Sequence, residues 1–219
     1  MPRGVNMGTT SSIGLQSRPR WGLILALAVP ALLAVWFIEQ NALRYASVTP
    51  AVYGDYFWPR RAGLIPHIAG GLVALLAGLV QIWLGVTGRI GRLHRSLGKA
   101  YVGAIIVASC GGFYLATTIP AKYLAYAAGL FLLCVAWVVT TSTAVVAIRR
   151  RAIDQHREWM LRSYVVTFAF VTFRLVDELL VRWQVAPKDD IDTIMAWACW
   201  VVPLLVAEPL LQQRRLRQR

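Results

Sequence analysis

The chain has 219 residues, of which 58% are hydrophobic and 15% charged, and it carries a formal charge of +13. Soluble domains average about 25% charged residues, and here the apolar residues fall in blocks near the ~20-residue length that crosses a bilayer as a helix, which excludes a water-soluble globule. The charge does not signal a nucleic-acid partner, because the Lys and Arg residues lie between the apolar blocks instead of forming one basic face.

A polar arm, residues 1–20, precedes the first predicted span, Trp21–Ile38. That span is too long for a signal-peptide core, and no small-residue cleavage site follows it promptly, so it reads as an uncleaved anchor helix. After a polar segment come five more spans: Pro66–Val86, Gly98–Thr118, Leu124–Ile148, Leu161–Leu180 and Ile191–Leu211. Pro30 and Pro203 fall inside spans and predict kinks of a kind that neighbouring helices tolerate. Residues 212–219 form a basic tail. The expectation is all-α: one polytopic membrane domain, 21–211, of about six transmembrane helices. Cys110, Cys134 and Cys199 all fall inside apolar blocks without a CxxC or CxxCH spacing, and are expected to act as small apolar side chains.

Orientation follows from the bases in alternate loops. One side collects Arg3, Arg18, Arg20, Arg89, Arg92, Arg95, Lys99, Arg149, Arg150, Arg151, Arg157, Arg162 and the four arginines of the tail. The other side holds Arg44, Arg60, Arg61, Lys122, Arg182 and Lys188. Both termini are therefore expected on the cytoplasmic side. Gly71, Gly78 and Gly85 recur every seven residues, and Ala100, Ala104, Ala108 and Gly112 form a small-xxx-small run. Such stripes let helices approach closely in lipid, and predict that spans two and three pack together. A weak repeat relates His94-Arg95 and Tyr101-Val102 to His156-Arg157 and Tyr164-Val165, as duplicated hairpins would.

The polar residues near or inside the spans are the candidate site. His94 and His156 open spans three and five on the same side, whereas His67 lies most of a membrane thickness away. Gly98 stands one turn from His94, where it clears room for the edge of a flat macrocycle, and Arg95 can pair with a propionate. This is a physically sensible bis-histidine haem b site; ordinary interfacial histidines are the competing reading. Arg174 is a costly group well inside span five. Asp177 and Glu178 follow at i+3 and i+4, so pairing within the helix is expected, and His67 lies at comparable depth. Snorkelling at the boundary is the alternative. Phosphate-binding, serine-hydrolase, zinc-protease and dinucleotide motifs are absent from the sequence.

Three stretches, PHIAGGLVALLAGLVQIWLG, RLHRSLGKAYVGAI and HREWMLRSYVVTFAFVTFRL, resemble the bacterial membrane family catalogued as domain of unknown function 2306, over about residues 66–175. The resemblance implies a multi-pass protein of the bacterial inner membrane and brings no activity with it. A fainter similarity is to the di-haem transmembrane cytochromes b that exchange electrons with ascorbate. There His94 and His156 would match one inner ligand pair and His67 one outer ligand. The second outer ligand has no counterpart, so at most one haem is implied. Two functional readings stay open: a haem-binding electron carrier working with a quinone or redox partner, and a non-redox bundle, transporter-like or a scaffold, that uses the Arg174, Asp177 and Glu178 cluster.

Overall fold

The computed structural model describes residues 21–216; the polar arm (1–20) and the last three residues of the tail (217–219) lie outside the described residues. The described chain is all-α, and no strand occurs among these residues. Helix α1 (Trp21–Phe37) leads through a π-helical and a 3-10 turn to the short α2 (Pro50–Phe57). Then follow α3 (Arg61–Val86), α4 (Arg92–Thr117), α5 (Leu124–Arg149), α6 (Ile153–Thr167), α7 (Ala169–Arg182) and α8 (Lys188–Leu216). Helix α1 runs through Pro30, and α8 runs through Pro203 and Pro209. Residues 212–216, expected as a separate tail, continue α8, since Gln, Arg and Leu are good helix formers and nothing breaks the run.

Among the described residues, five segments are long and apolar enough to cross a membrane. The remaining predicted span differs: it starts earlier, at Ile153, and is divided at Phe168 into helices of 15 and 14 residues. The division has a local cause. Thr167 Oγ1 bonds back to the Ser163 carbonyl at 2.9 Å, a bond that bends helices, and Phe168 sits at φ −79, ψ −5. The Phe168 and Thr172 amides still bond one turn back, to Tyr164 and Phe168, so the two helices form one broken rod.

Helices α3, α5 and α7 end alike. In each the amide five residues on bonds back, Arg89 to Leu84, Ala152 to Ala147 and Val185 to Leu180, across a residue with positive φ: Gly88, Arg151 and Gln184. Only the first is the glycine this turn prefers. The motif reverses the chain in a few residues and sets successive helices antiparallel.

The expected α3–α4 pair forms, with Gly78 of the predicted α3 stripe at the contact and Gly71 and Gly85 outside it. A Cβ on Gly70 would stand 2.6 Å from the Ala104 carbonyl oxygen and 2.9 Å from the Ala108 amide, whereas Gly71 and Gly85 face open space. Ala104, Ala108 and Gly112 of the predicted α4 run are buried; Ala100 is not. Of the seven-residue glycine period, Gly78 does face α4, where its Cβ would stand 3.1 Å from the Tyr101 ring, while the backbone-to-backbone contact falls at Gly70, one residue and about 100° of rotation from Gly71. Helix α1 is peripheral: Ala34 is its one buried residue among those described, packed with Leu75 of α3 and Val171 of α7. Large apolar side chains such as Leu32, Ile106, Val139 and Leu205 cover the outside of the bundle, an exterior suited to lipid and untenable in water.

Candidate functional site

At the base-rich end, His94 lies in the first turn of α4 and His156 in the first turn of α6. His156 Nδ1 is 3.0 Å from the Ala144 carbonyl of α5. A carbonyl only accepts, so Nδ1 carries the proton and Nε2 is left as the free nitrogen. The two imidazoles lie within electrostatic range of one another. His94 Nδ1 is buried without a hydrogen-bond partner among the described residues. Beside it, Gln81 Nε2 donates to the His94 carbonyl at 2.5 Å, while Gln81 Oε1 is also buried and unpartnered. The expected role of Gly98 changes: a Cβ there would stand 3.1 Å from Gln81 Nε2, so its space admits the Gln81 amide. Arg95 is exposed and makes no ion pair among the described residues.

Arg162, two turns further along α6, is no loop base. Its side chain is 12% exposed, its Nε and Nη2 donate to one oxygen of Glu208 at 3.1 and 2.6 Å, and Glu158 lies 3.8 Å away. Trp159 stacks beneath the guanidinium. This linkage between α6 and α8 spans 46 residues, and no motif announces it.

Deeper in the bundle lies a hydrogen-bonded network that sequence reading missed. Tyr101 Oη sits 2.8 Å from both Ser163 Oγ and Thr167 Oγ1. Trp137 Nε1 donates to Thr167 Oγ1 at 2.8 Å, and Thr141 Oγ1 lies 2.7 Å from Ser163 Oγ. Every polar tip finds a partner, as a low-dielectric interior requires. Tyr101 and Tyr164, the two tyrosines of the weak repeat, both pack against Gly78.

At the opposite end, His67 Nδ1 donates to the Ala108 carbonyl at 2.9 Å and the ring meets Phe170 edge-on. Gly111 and Gly112 make the room for it, since a Cβ on either would collide with its backbone or ring. Counting from His94 to Ala108–Gly112 along α4, His67 is roughly 20–27 Å from the other two histidines.

The expected pairing of Arg174 with Asp177 is replaced by another. Asp177 Oδ1 accepts from Lys188 Nζ at 2.9 Å, and Lys188 also bonds Asp192. The reason is rotational: Phe173 and Asp177 share the buried face of α7, while Arg174 and Glu178 share the exposed one. Asn41, Arg174, Asp177, Glu178, Arg182 and Lys188 border a cavity of about 420 Å³ that His67 does not line.

The family model for "Predicted membrane protein (DUF2306)" matches residues 64–211, and the chain belongs to that family. The match extends past the resembling stretches to take in the rest of α7 and most of α8. Comparisons with curated proteins and with solved structures find no match.

Proposed function

We propose that this membrane protein is a b-type haem electron carrier of the bacterial inner membrane, with both termini cytoplasmic and one haem held between His94 and His156. The observation that supports the reading is that these two imidazoles, from the first turns of α4 and α6, stand at the same end of the bundle within electrostatic range of one another. Histidines that ligate metals almost always donate their other ring N–H to a carbonyl or carboxylate, as His156 does to Ala144. His94 contributes a buried ring nitrogen that makes no hydrogen bond among the described residues. Arg95, exposed and without an ion pair, is available to a propionate. Gln81 must swing away from Gly98 for a ring edge to enter. When bound, the haem supplies a one-electron couple tuned by its ligands and their hydrogen bonds; the chain orients the imidazoles and keeps the site out of bulk water. A quinone or a soluble redox protein would be the partner.

The cavity lined by Arg174, Glu178 and Arg182 favours a second reading, a non-redox bundle that binds a small polar solute at the opposite end. An absorption spectrum of protein purified from haem-replete membranes decides between them. A Soret band and the reduced α-band of a low-spin b haem are expected. His94→Ala and His156→Ala should each abolish them, and His67→Ala should leave them intact. Well-folded, colourless parent protein would sink the redox reading.

A further inference from the structure

Between α4 and α5, on the lipid-facing surface, runs a groove of about 250 Å³ walled by Val102, Ile105, Ile106, Val138, Val145 and Val146. Arg149 closes its base-rich end. Lys99 stands at i−3 from Val102, one turn away on the same face of α4, so with Arg149 it places two cations at one end of an apolar slot. Arg95, Lys99 and Arg149 make no ion pair among the described residues. The wall also carries a free hydroxyl. Thr140, Thr141 and Thr143 bond carbonyls one turn back, whereas the exposed Ser142, which lines the groove, makes no hydrogen bond among the described residues. A hydroxyl left unpaired at membrane depth is costly.

From this arrangement we infer that the groove is a binding site for an anionic phospholipid, independent of any haem. An acyl chain lies along the valine and isoleucine walls, Ser142 donates to a glycerol ester carbonyl, and the phosphodiester meets Arg149 and Lys99. Charge complementarity selects this occupant, because basic pockets between transmembrane helices on the cytoplasmic side hold anionic headgroups. A free phosphate would leave the apolar walls bare, and a neutral lipid would leave Lys99 and Arg149 unmatched.

Native mass spectrometry of delipidated full-length protein, titrated with phosphatidylglycerol or phosphatidylcholine in detergent, tests the site. Phosphatidylglycerol should be retained in preference. Lys99→Gln/Arg149→Gln should weaken it by about tenfold or more. Arg89→Gln/Arg157→Gln removes the same charge from the same end away from the groove and should leave retention unchanged. Ser142→Phe, on a lipid-exposed position the fold tolerates, should fill the slot and expel the lipid with all cations present. Equal loss in both charge pairs, retention undiminished by Ser142→Phe, or a neutral isoprenoid lipid retained in place of phosphatidylglycerol would each overturn the assignment.

Discussion

Adjacent glycines on α3 offer a matched test of how the bundle is held together. A methyl group added at Gly70 would meet backbone atoms of α4, the Ala104 carbonyl oxygen at 2.6 Å and the Ala108 amide at 2.9 Å, as well as Ala108 Cβ at 3.0 Å. None of these is the end of a flexible side chain, so relief requires the two helices to separate. Overpacking of this kind typically costs about 1–3 kcal/mol, against about 0.5–1 kcal/mol that alanine gains over glycine in a helix. Gly71→Ala meets nothing within 4 Å and keeps only the gain. For a chain of this length roughly 1 kcal/mol moves the melting midpoint by about 2–4 °C. Gly70→Ala should therefore melt several degrees below the parent, and Gly71→Ala at or slightly above it. Thermal unfolding in detergent, followed by tryptophan fluorescence and monodispersity, reads both variants. If Gly71→Ala destabilised as much as Gly70→Ala, the face assigned to α3 would be wrong.

Two other outcomes are expected. Lys188→Met strands the buried Asp177 and should lower the midpoint, by less than the about 3–5 kcal/mol of a fully buried pair because the Lys188 side chain is 49% exposed; Arg174→Ala should stay within about 0.5 kcal/mol of the parent, and the reverse ranking in the same melts would restore an Arg174–Asp177 pair. Single cysteines at Arg92 and Arg150 should resist a membrane-impermeant maleimide in intact cells while cysteines at the exposed Asp55 and Lys122 react (Tyr53, in the same segment, is buried), and labelling of the Arg150 position from outside would invert the proposed topology.

How far the sequence was legible depended on which force was acting. The spans were legible because lipid demands long apolar helices, and their ends were not, because helices continue into water: α3 starts at Arg61 and α4 at Arg92, each several residues before the apolar block. The interruption at Phe168 was illegible, since the Thr167–Ser163 back-bond beside it is one that many helical threonines make without breaking a helix, as Thr140 and Thr141 do in α5. Periodicity brought α3 and α4 together, yet a period of seven cannot say which of Gly70 and Gly71 touches.

The site divides along the same line. His94 and His156 could be placed at one end by counting spans and loops, because each opens a helix there. Residues linked across helices were invisible for want of any local pattern. Arg162 looked like one more topogenic base until Glu208, 46 residues away, proved to hold it. Local pattern was equally able to mislead. Arg174, Asp177 and Glu178 at i, i+3 and i+4 satisfy the spacing for pairing, but that spacing fixes only proximity along a helix. Whether a carboxylate turns to its own helix or to the next is decided by which face is buried. Asp177 lies on the buried face of α7 with Phe173, and there it meets Lys188 at the start of α8.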